Sequence, residues 1–439
     1  KCMSCPILTK GLIKSLHRQL TRGELDAAAL RAEARRAAAQ DRQSRAYLWR
    51  PEAEAALPPR ETSGPLRGLP VSVKDNMDVA GWPTSCGAKF FAAGRPPARR
   101  DADFVAQWRR AGADFTGKTH LNAFAYGLTG ENRDHGDCLQ PERPECLTGG
   151  SSSGSAASVL SGSAMIGLGT DTGGSLRVPA ALCGLVSLRL TPGRVSNAGW
   201  FPLAETYTGG GWVQRHLADV AWVAAAALGL RADATPPARL GVLQGSWLGV
   251  CEKPVAGAAS RLASWLSDAG FAVEPVTADG WEEALEIFVP LQAREAFAAH
   301  AELLARHAAE YEPAIRARLE TGRDLPPARA EELTARRDRL VARLDRHWER
   351  FDVLVAPASP LTRLAAGGDH GPARRRLLQL TTPASLARWP ALTVPWMAAQ
   401  QGPGIGFQFL ASRGGESALL ALANRLAEWN WQAGGELTA

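Results

Sequence analysis

The sequence of 439 residues has no apolar run that approaches the ~20 residues of a membrane-spanning helix. Its first residues lack the apolar core of a secretory signal, and the chain begins at Lys1, which leaves the natural start open. A clustered basic stripe is also missing, since 50 bases are interspersed with 44 acids, even in the arginine-rich stretch 316–346. These absences predict a cytoplasmic protein that neither enters a membrane nor binds nucleic acid directly.

A disulfide framework is missing as well. The sequence has seven cysteines, an odd number without a repeating spacing, which predicts reduced thiols. Cys2 and Cys5 form a CxxC pair, but no second pair and no histidine cluster completes a zinc ligand set. We therefore expect no metal site and interpret the pair as a coincidence of spacing.

The sequence does contain alternating strand and helix signals. Residues 7–45 carry leucines at helical spacing, and Val71 and Val73 belong to a short strand that ends at Lys74. Because the alternation continues to residue 190, it predicts an α/β fold. Further expected elements are helices at 101–111, from near His120 and at 416–428, and strands at 113–118, 352–356, 392–395 and 406–410.

A stretch rich in serine and glycine, Thr148 to Gly184, contains apolar residues such as Met165 and Val178. Ser/Gly-rich linkers are flexible and solvated, and a linker would leave these apolar side chains in water. Glycines allow a backbone to approach another group closely. The stretch is therefore typical either of a tight loop system in a packed domain or of a site built from serine hydroxyls and backbone amides.

Three kinds of chemistry compete for this stretch. A dinucleotide loop is disfavoured, because Gly173 comes one residue late for GxGxxG and no acid follows at the expected distance. A nucleophile elbow would place Ser152 in GxSxG, with partners in Asp369 and His370. However, the preceding residues 140–146 contain two prolines and cannot form a buried central strand.

The third chemistry is a serine–serine–lysine site. Ser175 follows Gly173 and Gly174, whose flexible backbone lets consecutive N–H groups turn toward one point, as an oxyanion hole requires. A serine hydroxyl needs a base to become a nucleophile. Lys74, at the end of an apolar strand, is a candidate because burial lowers the pKa of an ammonium group. Ser151 is the second serine of this candidate site.

Three segments together resemble the amidase signature family of amide hydrolases. GLPVSVKDNMDVAG (68–81) resembles the lysine strand of that family, GGSSSGSAA (149–157) its first serine loop, and GTDTGGSLRVPAALCGLVSL (169–188) its nucleophile segment. The similarity covers most of residues 60–430 and is weakest at 250–350. The sequence departs from the family pattern in two places. One contains Thr208, where many members carry Asp, and Gln214, where they carry Ala; the other is Ser187-Leu188-Arg189-Leu190-Thr191-Pro192, which replaces the usual Gly-Leu-Lys-Pro-Thr pattern.

The resemblance implies a single α/β domain over residues 1–439, with a central mixed β-sheet covered by helices on both faces. An N-terminal helical segment occupies 1–60 in this interpretation, and a variable helical region occupies 250–350. No cofactor and no metal is implied.

The resemblance also implies a role for each residue of the site. Ser175 is the nucleophile that becomes acylated, Lys74 is the base, and Ser151, held on a cis peptide bond, passes the proton between them. The expected oxyanion hole consists of four backbone N–H groups, those of Thr172, Gly173, Gly174 and Ser175.

Further residues are expected to support the site. Ser152 is expected to hydrogen-bond Lys74, while Asp171 and Arg177 form a buried charge network that fixes the loop. The expected substrate contacts are Ala125, Tyr126 and Ser151. Four aromatic residues lie in segments that border the pocket in relatives: Trp200, Phe201, Trp389 and Trp396. Each could instead belong to the hydrophobic core.

These features predict an enzyme that hydrolyses a carboxylic amide or a urea-type C–N bond of a small molecule. Arg388 suggests a substrate with a carboxylate, such as allophanate or carboxybiuret. The alternative from another class is the A subunit of a glutamyl-tRNA amidotransferase, which acts with partner proteins. A homodimer is left open.

Overall fold

The computed structural model describes residues 6–51, 63–396 and 404–429. Within these ranges the helices, α1 to α14, are Pro6–Lys10, Ile13–Thr21, Ala27–Gln40, Lys89–Ala93, Asp103–Arg110, Ser153–Leu160, Arg177–Cys183, Val220–Leu228, Lys253–Asp268, Trp281–His307, Pro313–Arg323, Pro327–Asp345, Gly371–Leu386 and Glu416–Glu428. The strands, β1 to β13, are Tyr47–Trp49, Pro70–Lys74, Asp114–Thr119, Leu139–Gln140, Arg143–Leu147, Ile166–Asp171, Val186–Arg189, Gly209–Gln214, Arg239–Leu243, Ala272–Val276, Val353–Pro357, Ala391–Pro395 and Gly406–Leu410.

Eleven of these strands form one mixed sheet in the order β1-β3-β2-β6-β8-β7-β12-β13-β11-β9-β10. β2 runs parallel to β3 and β6, and β9 runs parallel to β10 and β11. The pairs from β6 across to β11 are antiparallel. The predicted α/β fold with a central mixed sheet is confirmed.

Helices cover both faces of the sheet. Val353 and Val355 of β11 belong to one apolar cluster, together with side chains of α2, α3, α5, α8, α9 and α14. Leu354 and Ala356 belong to a second cluster with α10, α12 and α13. Because successive side chains of a strand point to opposite faces, the two clusters lie on opposite sides of the sheet.

Two neighbouring parallel strands position the candidate site. β2 and β6 are fully buried, and they end at Lys74 and Asp171 respectively. Since both strands run in the same direction, these two residues lie at the same edge of the sheet. In open α/β sheets the carboxyl ends of parallel strands are the usual place for a ligand.

Three local expectations differ from the structure. The helix expected from near His120 is a single 3₁₀ turn, Ala123–Ala125, because Phe124 has a left-handed φ of 54° that an α-helix does not accept. The helical region 250–350 also contains strand β10, whose exposed residues and proline weaken the strand signal. The N-terminal helical segment ends in strand β1, which pairs with β3.

Part of the N-terminal segment, including Cys2 and Cys5, lies outside the described residues. The five cysteines inside them are free thiols, as predicted: Cys86, Cys138, Cys146, Cys183 and Cys251. Among the helices of the described ranges, none combines the length and apolar character that a bilayer crossing needs.

Candidate active site

Lys74 lies at the centre of the candidate site and is completely buried. Its Nζ donates hydrogen bonds to Ser151 Oγ at 2.8 Å, to Thr170 Oγ1 at 3.0 Å and to the Thr170 carbonyl at 3.3 Å. All three acceptors are uncharged oxygens. The lysine predicted from the end of the apolar strand therefore contacts one of the two predicted serines directly.

Burial changes the protonation of this lysine. Loss of solvation lowers the pKa of Lys74 from 10.5 to about 7, although the carboxylate of Asp171 acts in the opposite direction and raises it. A large fraction of the molecules therefore carries an uncharged Lys74 amine at neutral pH. An uncharged amine next to a hydroxyl is able to accept its proton.

The loop with Ser151 is built on glycines. Gly149 has a left-handed φ of 76°, and the peptide bond between Gly150 and Ser151 is cis. The next amide, that of Ser152, donates to the Ser175 carbonyl at 3.1 Å and so joins the two serine loops. Ser151 and Ser175 are both buried, with at most 3% of their surface exposed.

One supporting contact differs from the prediction. Ser152 Oγ donates to the Thr170 carbonyl at 3.2 Å, the same carbonyl that Lys74 contacts. The expected hydrogen bond between Ser152 and Lys74 is therefore wrong, because both side chains donate to one shared acceptor.

Asp171 organises the loop that carries Ser175. Its carboxylate accepts the backbone N–H of Gly174 at 2.8 Å and that of Leu176 at 3.0 Å. Arg177 binds the same carboxylate with two donors, Nη2 at 2.9 Å and Nε at 3.0 Å. These contacts form the buried charge network expected for Asp171 and Arg177.

A second arginine, Arg189 on β7, completes this network and was not predicted. Its Nε lies 3.2 Å from Asp171 Oδ1, its Nη2 donates to the Tyr207 carbonyl at 2.8 Å, and its Nη1 donates to the Trp389 carbonyl. A basic residue inside a buried apolar strand, LVSLRL, is the signal that identifies it.

The two arginines keep Asp171 ionised. Burial alone raises the pKa of its carboxyl group, but the charge and hydrogen bonds of Arg177, followed by the charge of Arg189, hold that pKa well below its usual range. A fixed negative charge thus anchors the loop beside the catalytic candidates.

The loop exposes fewer amides than predicted. The N–H of Gly174 is already bonded to Asp171, so Gly174 is removed from the expected oxyanion hole. The amides of Thr172, Gly173 and Ser175 have no hydrogen-bond partner within the part of the chain that the structure describes. Unpaired amides of this kind are the donors that stabilise a developing oxyanion.

Ser175 Oγ has no hydrogen-bond partner among the described residues, and no bond joins it to Ser151 Oγ. The structure thus brings Lys74 and Ser151 into contact and places Ser175 on the adjoining loop.

Comparison with known proteins agrees with this arrangement. The model of the amidase family matches residues 19–420. The chain belongs to the amidase family. The AtzE protein of the 1-carboxybiuret hydrolase of Pseudomonas sp. (strain ADP) is 33% identical over 391 residues, which cover 82% of this chain and 83% of that protein. The A subunit of the glutamyl-tRNA(Gln) amidotransferase of Rippkaea orientalis is 29% identical over 91% of this chain and 94% of its own length.

Solved structures show the same fold. An amidase crystal structure superposes on this amidase with a TM-score of 0.86 at 30% identity, over 95% of this chain and 99% of that one. A chain of an inhibitor-bound vestigial protein complex, which reveals the evolutionary origins of an s-triazine catabolic enzyme, has a TM-score of 0.84 at 26% identity, over 96% of this chain and 98% of that one.

The amidase has a small pocket next to the lysine. Asn76, Ala125, Thr170 and Thr172 line it. Asn76 Nδ2 donates to Thr170 Oγ1 at 3.2 Å, which connects this pocket to the hydrogen bonds of Lys74. The remaining wall residues are Asn197, Trp200, Phe201, Pro202, Leu203, Glu205 and Thr208.

Of the expected substrate contacts Ala125 and Tyr126, only one lines this pocket. Ala125, with a left-handed φ of 59°, lines the pocket. The neighbouring Tyr126 is buried outside this wall and packs its ring against the guanidinium groups of Arg318 and Arg374, at 5.5 and 5.8 Å from the ring centroid. Non-glycine residues with such backbone angles occur often at functional sites.

The expected aromatic residues also divide into two groups. Trp200 and Phe201 line the pocket, whereas Trp389 packs against Trp348 and Trp396 against Phe407 in the core. Of the two residues in the first departure from the family pattern, Thr208 hydrogen-bonds Thr172 Oγ1 at 2.7 Å, so it borders the site. The other, Gln214, accepts an indole N–H of Trp212 inside the sheet and has a structural role.

The nucleophile-elbow alternative finds no support. Residues 143–147 do form a strand, but it pairs only with β4 outside the large sheet. His370 bonds the Ala365 carbonyl at 2.8 Å and does not contact Ser152. Arg388, from which a carboxylate-bearing substrate was suggested, donates to the Pro192 carbonyl and lines a different cavity from the pocket beside Lys74.

Proposed function

We propose that this amidase hydrolyses a carboxylic amide or a urea-type C–N bond through an acyl-enzyme on Ser175. The observation that carries the proposal is the buried Lys74, whose pKa is about 7 and whose amine bonds Ser151 Oγ at 2.8 Å. The proton relay runs from Ser175 through Ser151 to Lys74.

In the first half of the reaction, uncharged Lys74 accepts the proton of Ser151 while Ser151 accepts the proton of Ser175. Ser175 Oγ forms a bond to the substrate carbonyl carbon, and the oxyanion is stabilised by free amides of the loop. The proton then returns through Ser151 to the leaving nitrogen, the C–N bond breaks and the amine departs. In the second half, water repeats these transfers, and the acid is released from Ser175.

A panel of amides and ureas incubated with the purified chain tests this proposal, with release of ammonia or amine as the measurement. Turnover by the wild type that is lost in Ser175→Ala supports the proposal. If the isolated chain turns over no member of the panel and copurifies with partner proteins, a role as the A subunit of an amidotransferase is favoured instead. A cytoplasmic location and a homodimer remain predictions.

A second observation favours a substrate that carries a carboxylate. Arg318 and Arg374 both flank Tyr126, and neither forms an ion pair with an acid within the described ranges. Burial, followed by the charge of Arg318, lowers the pKa of Arg374 to about 10, and Arg374 Nε is buried without a hydrogen-bond partner. The charges of Glu312 and Glu131 act on Arg318 without forming an ion pair with it. Two adjacent cations that have no directly paired acid are complementary to an anion.

Matched substrates distinguish this candidate. Arg374→Gln is expected to raise KM for carboxylate-bearing amides or ureas by about tenfold or more, since a hydrogen bond to a charged group contributes about 1.5–3 kcal/mol. Neutral amides of the same size are expected to be unaffected. An equal change for both substrate classes would assign Arg374 to the fold alone.

A further inference from the structure

A second cavity, about 430 Å³ in volume, lies away from the pocket beside Lys74. It is formed by α12, by the end of α13 and by the segment around Thr206. Three arginines face it, namely Arg337, Arg388 and Arg413. The other lining residues are Asp338, Val341, Ala342, Asp345, Leu386 and Ala387.

The acids that line this cavity are already bonded to protein groups. Asp338 pairs with Arg337 at 2.8 Å. Asp345 accepts the indole N–H groups of Trp348 at 3.2 Å and of Trp389 at 2.9 Å. The negative charges therefore offset only part of the positive charge on the cavity wall.

Arg388 has unused hydrogen-bonding capacity. Its Nη2 donates to the Pro192 carbonyl at 3.1 Å, whereas its Nε is buried and has no partner within the described ranges. Arg413 forms no ion pair with any described residue. Burial, followed by the charges of Arg413 and Arg337, lowers the pKa of Arg388, while the charge of Glu295 acts in the opposite direction.

The backbone at Arg388 is unusual for an arginine. Helix α13 ends in a Schellman motif, in which the Arg388 N–H donates to the Ser385 carbonyl at 3.2 Å and the Trp389 N–H to the Ala384 carbonyl at 2.9 Å. The residue at this position needs a left-handed backbone, and Arg388 has a φ of 61°. Glycine adopts this conformation without steric cost, so the sequence places an arginine where the fold favours glycine.

We propose that this cavity is a binding site for a small oxyanion, a carboxylate or a phosphate group, held by Arg388 together with Arg413 and Arg337. Guanidinium groups bind both kinds of anion through paired hydrogen bonds. A volume of about 430 Å³ is larger than a bare inorganic anion needs, which fits a small organic acid or a phosphate ester.

The site is separate from the proposed reaction centre but shares one segment with it. Thr206 lines the arginine cavity, whereas Glu205 and Thr208 line the pocket beside Lys74. Binding is therefore measurable without turnover, and it does not depend on the proposed function.

Isothermal titration calorimetry on the full chain tests the proposal, with inorganic phosphate and citrate as separate probes at constant ionic strength. We expect saturable binding of at least one probe, and the preferred probe identifies the phosphate or the carboxylate source. Arg388→Gly is expected to weaken that binding by about tenfold or more, because it removes charged hydrogen bonds. The fold is expected to persist, since glycine suits the left-handed backbone.

Two further variants keep the test decisive. Arg350→Gln controls for the change in net charge. Arg350 has a side chain that is 68% exposed and pairs with Glu274, so its loss should leave anion binding unchanged. Asparagine also tolerates a left-handed backbone, so Arg388→Asn is the variant to use if Arg388→Gly is poorly folded. Absence of saturable binding to both probes, or equal affinities in the wild type and the folded Arg388 variant, would overturn the proposal.

Discussion

Arg189 Nε lies 3.2 Å from Asp171 Oδ1, so that a single buried carboxylate receives two arginines, Arg177 and Arg189. All three side chains are inaccessible to solvent. Removal of one partner from a buried ion pair is strongly destabilising, because the remaining charge stays buried with less compensation. This arrangement makes the stability of the loop depend on β7, a strand that β8 separates from β6 in the sheet.

Arg189→Met is expected to lower the free energy of unfolding by about 3 kcal/mol, at the lower end of the range for a broken buried pair because Arg177 remains. Urea denaturation measures this change. Arg323→Gln, at an exposed pair with Asp324, is the control and should cost less than about 1 kcal/mol. Equal stability of Arg189→Met and the wild type would show that Arg177 alone suffices for Asp171.

Ser175→Ala is expected to abolish turnover and covalent labelling by a fluorophosphonate probe, since the nucleophile is lost. Ser152→Ala should keep the label, because Ser152 Oγ only bonds the Thr170 carbonyl. Mass spectrometry of the labelled peptide makes the assignment. A label on Ser152 would instead favour the nucleophile elbow.

The rate of acylation is expected to rise with pH through about pH 7 and then reach a plateau, because the pKa of Lys74 is about 7 and only its uncharged form accepts a proton. Values of kcat/KM over a pH series test this. Lys74→Ala should remove both the activity and the inflection. A wild-type rate in Lys74→Ala without pH dependence would exclude Lys74 as the base.

The same shift has a consequence for stability. The folded pKa of Lys74, about 7, lies below its ordinary value of 10.5, so between these values the unfolded chain binds more protons than the folded chain. Stability of the wild type relative to Lys74→Met should therefore rise with pH across this window, by at most about 1.4 kcal/mol per pH unit. Urea unfolding of both proteins at several pH values measures it, and a pH-independent difference would contradict the shift.

Ser151→Ala separates the relay from a simple serine–lysine pair. If Ser151 carries the proton between Ser175 and Lys74, its loss should reduce turnover by about 10²- to 10⁴-fold. Amides should be affected more than matched esters, because an amine must be protonated to leave. A thermal melt confirms folding, and a folded variant that cleaves amides at the wild-type rate would disprove the relay.

Sequence reasoning succeeded where neighbouring residues carry the information. The strand ending at Lys74 follows from alternating valines, and the serine loops follow from their glycines and hydroxyls. The antiparallel pairs of the sheet join strands distant in sequence, such as β7 and β12, and no local pattern predicts their order. The resemblance implied only a central mixed sheet.

The contacts that escaped prediction depend on tertiary packing. The bond from Gly174 to Asp171 decides which amides remain free, and the bond from Ser152 to Thr170 decides which hydroxyl meets Lys74. In both cases several chemically equivalent amides or hydroxyls lie close together, and only one of them forms the bond. Spacing along the chain does not distinguish such groups, whereas side-chain packing does.

The far end of the chain also holds the reaction loop. Arg177 Nη1 donates to the Thr381 carbonyl and to Gln408 Oε1, both at 2.9 Å, and Thr381 Oγ1 donates to the Gly173 carbonyl at 2.6 Å. During synthesis from the N-terminus, Lys74 and both serines leave the ribosome more than 200 residues before Thr381 and Gln408, which make these hydrogen bonds. We therefore expect a nascent chain to contain every reacting group and still be inert until β13, the last strand of the described ranges, pairs with the sheet.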